Sequence, residues 1–151
     1  RMTQKLLFVC LGNICRSPIG EGWIRHAAMV RGLRVKVDSA GPSGYHAGDP
    51  PDRRSVATMR SVDIDISGQR SRKFVRADFQ KFDRILVMDR ANLSDVLALA
   101  RTDEEREKVA LFDPSGAEVP DPYYGGEDGF TLVREQVREA AEAQLAGDFP
   151  S

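Results

Sequence analysis

Cysteine is scarce in this chain, with two among 151 residues. Two thiols cannot build a disulfide framework, which argues against a small secreted scaffold and for reduced, working thiols. Neither sign of charge is in excess: 22 Lys and Arg stand against 23 Asp and Glu, for a net charge of −1. Nothing in that balance favours nucleic acid or an anionic membrane as a partner. Apolar runs long enough to span a bilayer are missing. No secretory leader is expected either, because Arg1-Met2-Thr3-Gln4 leads directly into a strand pattern. Arg1 before Met2 reads as a residue left by expression, residues 1–4 as a lead-in, and a reducing cytoplasm as the location. Repeats, low-complexity tracts and Pro/Gly/Ser linkers are absent as well, so residues 1–151 are expected to form a single domain.

What is present is an alternation. Four short apolar runs with β-branched content read as buried strands: Lys5–Cys10, Val35–Ser39, Arg84–Met88 and Val109–Phe112. Helical patterns lie between and after them. Ile19, Trp23, Ala27 and Val30 share one helical face, Asp52–Val62 forms a weaker helix, and Ala91–Ala100 a third capped around Asp89 or Asn92. Phe130, Val133, Val137, Ala141 and Leu145 stripe a last helix that ends near Gly147. Such alternation predicts an α/β fold: a four-stranded parallel, doubly wound sheet with helices on both faces. Ligands in such sheets bind at the carboxyl ends of strands, beside a topological switch point.

Both cysteines fall at one such strand end, in Lys5-Leu-Leu-Phe-Val-Cys10-Leu-Gly-Asn-Ile-Cys15-Arg-Ser-Pro18. Pro18 suits the first helical position and Ser17 an N-cap, so Leu11–Cys15 is a loop ending at a helix N-terminus. Free amides and the positive dipole end favour an anion there. Gly12 and Asn13 tolerate the left-handed backbone that an amide nest requires. Arg16 adds a planar fork suited to two phosphoryl oxygens. Cys10 enters this cradle as a candidate nucleophile for in-line attack on phosphorus, with Ser17 placed as a hydroxyl donor to its sulfur.

Cys10, five residues, Arg16-Ser17-Pro18, with Leu-Gly-Asn-Ile-Cys between, resembles the phosphate-binding loop of the low-molecular-weight protein tyrosine phosphatases. The likeness extends through Val37-Asp-Ser-Ala-Gly41, Leu86-Val-Met-Asp89 and Asp121-Pro-Tyr-Tyr-Gly125, nearly the whole chain. It implies hydrolysis of phosphotyrosine and other aryl phosphate monoesters through a cysteinyl-phosphate intermediate, with no metal and no cofactor. Cys10, Arg16 and Asp121 take the catalytic places. Leu11, Gly12, Asn13, Ile14, Cys15 and Ser17 take the phosphate-binding ones. The implied partners are tyrosine-phosphorylated proteins or peptides and phosphate-like anions, with neither nucleic acid nor membrane among them.

A phosphomonoester needs its leaving oxygen protonated, and the cysteine loop holds no acid. Asp121 is the candidate, flanked by Pro120 and Pro122 in a rigid loop after the fourth strand. The competing reading is a turn aspartate that bonds its own backbone. The resemblance makes Tyr123 and Tyr124 walls for a flat phenyl ring, faced by Tyr45 and His46 where other members often carry Trp. Asp89 either orients loop groups or caps the next helix, and capping is favoured. The run Arg70, Arg72, Lys73 and Arg76 is expected to be a solvated charged segment. Cys15 has two readings, a small apolar filler or a partner for Cys10 in a reversible protective disulfide.

Two other functions are consistent with such a loop. A thiol-dependent arsenate reductase shares this fold and loop but passes oxidation to further cysteines, and none exists outside Cys10 and Cys15. A phosphate-binding or phosphoprotein-binding module without turnover would not need nucleophile, arginine, serine and acid together.

Overall fold

The computed structural model describes residues 3–147, so the lead-in reading of Arg1 and Met2 lies outside the described residues. Four parallel strands form one sheet: β1 (Gln4–Val9), β2 (Val35–Ala40), β3 (Arg84–Val87) and β4 (Val109–Leu111). Their spatial order is β2-β1-β3-β4. After β2 the chain therefore crosses back over β1 to begin β3, which makes the end of β1 the switch point where ligands bind in doubly wound sheets. Each expected strand is present, shifted, lengthened or trimmed by one residue at its ends.

Alternation along β1 builds both layers of the core. Leu6 and Phe8 face one side and pack with Ile19, Met59, Leu86, Phe112, Val133, Val137 and Ala141. Leu7 and Val9 face the other and pack with Phe74, Phe79, Ile85, Val87 and Val96. The first layer is covered by α1 (Arg16–Arg31), α2 (Arg53–Arg60) and α6 (Glu127–Leu145). The second is covered by α3 (Asp78–Lys81) and α4 (Arg90–Leu97), with α5 (Asp103–Glu107) preceding β4. A strand buried on both faces needs apolar residues at every position, which explains the unbroken run Leu6-Leu7-Phe8-Val9.

Several details depart from the sequence expectation. Helix α1 begins at Arg16, not at Pro18, so Ser17 is inside its first turn and makes no cap. Its buried face runs through Ile24 and Ala28, while Val30 is exposed at 71%. Helices α3 and α5, of four and five residues, carry too little periodicity to be read from sequence. The basic run is only partly solvated. Arg72 donates to Asp38 at 3.0 Å and forks onto the buried Asp78 at 3.0 and 3.1 Å, and Arg76 donates through Nη2 to both carboxylate oxygens of Glu105 at 3.0 and 3.1 Å. These pairs tie the β2–β3 connection to its surroundings. Among the described residues no helix is long and apolar enough to cross a membrane.

Candidate active site

The β1–α1 loop, Cys10 to Cys15, is turned inside out relative to an ordinary turn. Its carbonyls are taken up by donors from outside. Leu11 O accepts from Ser43 N at 3.1 Å, and Ile14 O from Asp52 N at 2.7 Å. Gly12 O accepts from Ser71 Oγ at 3.0 Å, and Cys15 O from Ser55 Oγ at 3.2 Å. Among the described residues the amides of Leu11 to Cys15 have no protein acceptor. Buried amides are seldom left unpaired, so a ring of them is a site for an anion. Asn13 holds the curl: its φ is 56°, the left-handed conformation expected for it. Its side chain accepts from Arg72 N at 3.0 Å and donates to Ser17 Oγ at 2.8 Å. Gly12 does not adopt positive φ, contrary to expectation; its role is space, since an added Cβ would lie 3.1 Å from the His46 ring.

Cys10 sits beneath this ring, 2% exposed. Its sulfur lies 3.1 Å from Ser17 Oγ and accepts from Ser17 N at 3.3 Å. Freed from capping, Ser17 thus brings two donors to the sulfur, in the first turn of a helix whose dipole favours negative charge. Arg16 is equally buried. Its Nη1 donates to Asp89 Oδ2 at 2.6 Å and to Val119 O at 2.9 Å, while Nη2 stands 3.8 Å from Asp121 Oδ2. Its Nε is buried without a partner among the described residues. Burial opposes the guanidinium charge, but the Cys10 sulfur, Asp89 and Asp121 outweigh it and push its pKa above the ordinary arginine value. The fork is permanently charged, anchored on one edge and open on the other.

Asp121 lines the pocket, its side chain 41% exposed. Oδ1 accepts from Tyr123 N at 3.0 Å, the bond expected of a turn aspartate. That bond uses one oxygen and leaves Oδ2 on the side of Arg16. Asp89 likewise does two things: Oδ1 caps α4 by accepting from Asn92 N at 2.8 Å, and Oδ2 holds Arg16.

A pocket of about 260 Å³ opens above Cys10. Of the residues given catalytic, phosphate-binding or ring-binding places from sequence, all but Asn13 and Ser17 line it; those two lie behind, bonded to each other and, through Ser17, to the sulfur. Four rings rim it in series: Tyr45 to His46 at 4.8 Å, His46 to Tyr123 at 6.5 Å, Tyr123 to Tyr124 at 5.0 Å. His46 Nδ1 is 3.2 Å from Asp49 Oδ2. Tyr45 and Tyr124 are 86% and 95% exposed, so they form an outer lip, not a closed wall. Cys15 is a free buried thiol, packed with Ile14 and Phe130. Burial, then the Cys10 charge, pushes its pKa far up, so it stays protonated where a working thiolate would not.

Sequence reading missed the bracing residues. Ser43 lines the pocket, and Asp52, Ser55, Ser71 and Arg72 hold the loop from outside. Arg54 was missed too: it donates to Tyr123 O at 2.9 Å and to Gly125 O at 3.0 Å in the acid loop. No local signal marks them, since Ser and Asp in turn-rich segments are ordinary.

The comparisons agree with this geometry. Residues 5–147 match the family model for low molecular weight phosphotyrosine protein phosphatase. The low molecular weight phosphotyrosine protein phosphatase of Homo sapiens is 38% identical over 150 residues, 95% of this chain and 94% of that one. A protein tyrosine phosphatase from Entamoeba histolytica, solved with Hepes in the active site, superposes with a TM-score of 0.90 at 36% identity, over 95% of this chain and 96% of that one. Wzb of Vibrio vulnificus, solved in complex with benzylphosphonate, gives 0.87 at 29% identity, over 96% and 99%. With its sheet order, its inverted cysteine loop and a match across nearly all its length, the chain belongs to the low molecular weight phosphotyrosine protein phosphatase family.

Proposed function

We propose that this chain hydrolyses phosphotyrosine monoesters in proteins or peptides, using Cys10 as nucleophile, Arg16 as the phosphate clamp and Asp121 as the proton donor. The observation that carries the reading is the loop with its carbonyls bonded outward and its amides unpaired, over a buried sulfur. A phosphoryl group seated there meets amides on its oxygens and the free edge of Arg16, which matches two oxygens at once. Cys10 Sγ then attacks phosphorus as the ester bond breaks, and Asp121 Oδ2 gives its proton to the departing tyrosine oxygen. The cysteinyl phosphate is cleaved by water, which returns a proton to Asp121 and releases inorganic phosphate and the sulfur anion. Ser17 and the helix terminus stabilise that anion at both ends of the cycle. The aromatic lip suits a phenyl ester, and a relative in complex with benzylphosphonate supports an aromatic group joined to a phosphorus oxyanion as the ligand class. Two free thiols at the centre fit a reducing cytoplasm.

The test is single-turnover kinetics on phosphotyrosine and p-nitrophenyl phosphate without added metal. Cys10→Ser abolishes turnover but keeps inhibition-range affinity for inorganic phosphate, because the amides and Arg16 remain. Asp121→Ala loses roughly 10²–10⁴-fold on phosphotyrosine and much less on p-nitrophenyl phosphate, whose phenolate leaves without help. Substantial turnover by Cys10→Ser, or an equal loss on both substrates in Asp121→Ala, would refute the assigned roles.

A further inference from the structure

The acid loop is poorly tied down for a segment that must place a proton donor. Pro120 to Gly126 lies outside regular secondary structure, and its own bonds are local: Gly125 N to Pro122 O at 2.9 Å and Tyr123 N to Asp121 Oδ1 at 3.0 Å. Among the described residues, apart from the bond from Gly129 N to Gly126 O at 3.2 Å where α6 begins, the hydrogen bonds reaching it from another element both come from Arg54, in the first turn of α2. Nη1 donates to Gly125 O at 3.0 Å and Nη2 to Tyr123 O at 2.9 Å. The guanidinium is itself held. Asp52 accepts from Nε at 3.1 Å and from Nη2 at 3.0 Å. The cation lies over the Phe130 ring at 4.4 Å and near the Tyr123 ring at 5.7 Å. Burial opposes the Asp52 charge, but the Arg54 bonds outweigh it and hold that carboxyl below the ordinary aspartate range.

The same turn of helix grips the phosphate loop. Asp52 N donates to Ile14 O and Ser55 Oγ to Cys15 O, while Phe130 of α6 packs against Ile14 and Cys15 from beside them. Helix α2 therefore holds the cysteine loop by one set of groups and the acid loop by Arg54. We propose that Arg54 is a positioning residue that fixes the Asp121 carboxyl relative to the phosphate-binding loop. This rests on Asp121 being the proton donor. The planar fork is essential to it: one guanidinium reaches a carboxylate and two carbonyls at once, whereas a lysine ammonium acts as a single point. Without the fork the two carbonyls lose their anchors and Oδ2 wanders from the leaving oxygen. Misplacement of a catalytic group by about 1 Å can cost ~10²-fold. The amide nest keeps its own donors, so phosphate binding is left alone.

The experiment measures single-turnover rates for Arg54→Met and Arg54→Lys, each alone and combined with Asp121→Ala. The substrates are phosphotyrosine and p-nitrophenyl phosphate, with inhibition by inorganic phosphate and thermal melting followed in parallel. Arg54→Met is expected to lose roughly 10- to 10²-fold on phosphotyrosine, part of what a general acid supplies, and about threefold or less on p-nitrophenyl phosphate. Arg54→Lys falls between. In the Asp121→Ala background, removing Arg54 costs little further, because groups that act as one unit are not additive. Inhibition by phosphate stays near the parent value. The proposal is overturned by the same loss on both substrates, by losses that multiply with Asp121→Ala, or by phosphate inhibition weakening in step with rate. If Asp121→Ala shows a leaving-group dependence and the Arg54 variants do not, Arg54 alone loses its role. If Asp121→Ala shows none, the proton-donor reading fails and this proposal fails with it. Should Arg54→Met not fold, Arg54→Lys decides by the same criteria.

Discussion

Gly41, the residue after β2, is where the cysteine loop rests on the next strand, and replacing it with alanine attacks the site from behind. A Cβ there would lie 2.6 Å from both Cys10 O and Leu11 O and 3.1 Å from Asn13 N. An ordinary contact begins near 3.4 Å, so about 0.8 Å must be found, and every obstructing atom is backbone. Gly41 cannot retreat, because its N donates to Arg72 O at 3.0 Å and its O accepts from Phe74 N at 2.7 Å on the far side. The loop must yield. Overpacking of this kind costs about 1–3 kcal/mol, and the stiffer unfolded chain returns only ~0.4–1 kcal/mol. The net change, from about zero to a loss of ~2.6 kcal/mol, lowers Tm by up to roughly 10 °C for a chain of this size. Activity suffers more: a shift approaching 1 Å in the amide nest is expected to lower kcat/KM by ~10²-fold and to weaken inhibition by inorganic phosphate in parallel. Gly68→Ala is the control, since among the described residues beyond its chain neighbours no atom lies within 4 Å of its added Cβ. It should keep full activity and an equal or slightly higher Tm. Steady-state kinetics, phosphate inhibition and a thermal melt on both variants suffice. Gly41→Ala with parental kcat/KM and Tm would show that the loop does not rest on this backbone.

Three further outcomes follow from the same geometry. Asp89→Asn keeps the α4 cap, because asparagine caps as well as aspartate, but loses the charge facing Arg16. It should cost roughly 10- to 10²-fold in kcat/KM with little change in Tm, whereas Asp89→Ala also forfeits about 1 kcal/mol of capping. Equal melting of the two variants would contradict the double role. Cys15, held protonated by burial, makes the fold less stable in alkali: above the ordinary thiol value near 8.5 the unfolded chain releases a proton that the folded one retains. Denaturant titrations across that range should show a slope of up to ~1.4 kcal/mol per pH unit that Cys15→Ala lacks, and identical slopes would refute it. Gly22→Ala meets Ile66 Cγ2 at 2.6 Å, a stiff β-branched methyl in the core, and Met59 Cε at 3.3 Å. It should lower Tm without altering the leaving-group dependence, and a changed dependence would mean that α1 packing reaches the site.

The fold was largely legible because burial on both faces leaves a mark in composition. Leu6 to Val9, Ile85 to Val87 and the α6 stripe Phe130, Val133, Val137, Ala141 are apolar at the spacing their elements demand. Short α3 and α5 were not legible, since four or five residues do not complete a period. Ser17 was misread for a related reason: an N-cap serine and a serine one residue inside the helix look alike, and only the sulfur of Cys10 shows which it is. Arg72 looked solvated because its partners, Asp38 and Asp78, stand 34 and 6 residues away.

By itself the sequence determined the local things: a strand feeding a helix N-terminus, a thiol and an arginine with five residues between them, and a proline-flanked aspartate far along the chain. Dipoles, backbone preference and side-chain chemistry are properties of neighbours in sequence, so they can be read there. Only the tertiary structure decided which way the loop amides point. Its carbonyls are drawn outward by Ser43, Asp52, Ser55 and Ser71, donors that lie between 32 and 59 residues from their acceptors. It also decided that Asp89, Asp121 and Arg16 meet, and that Arg54 spans the two loops. Those contacts exist because crossovers carry distant segments to one end of the sheet, and hydrogen-bond donors acquire their partners only after that closure.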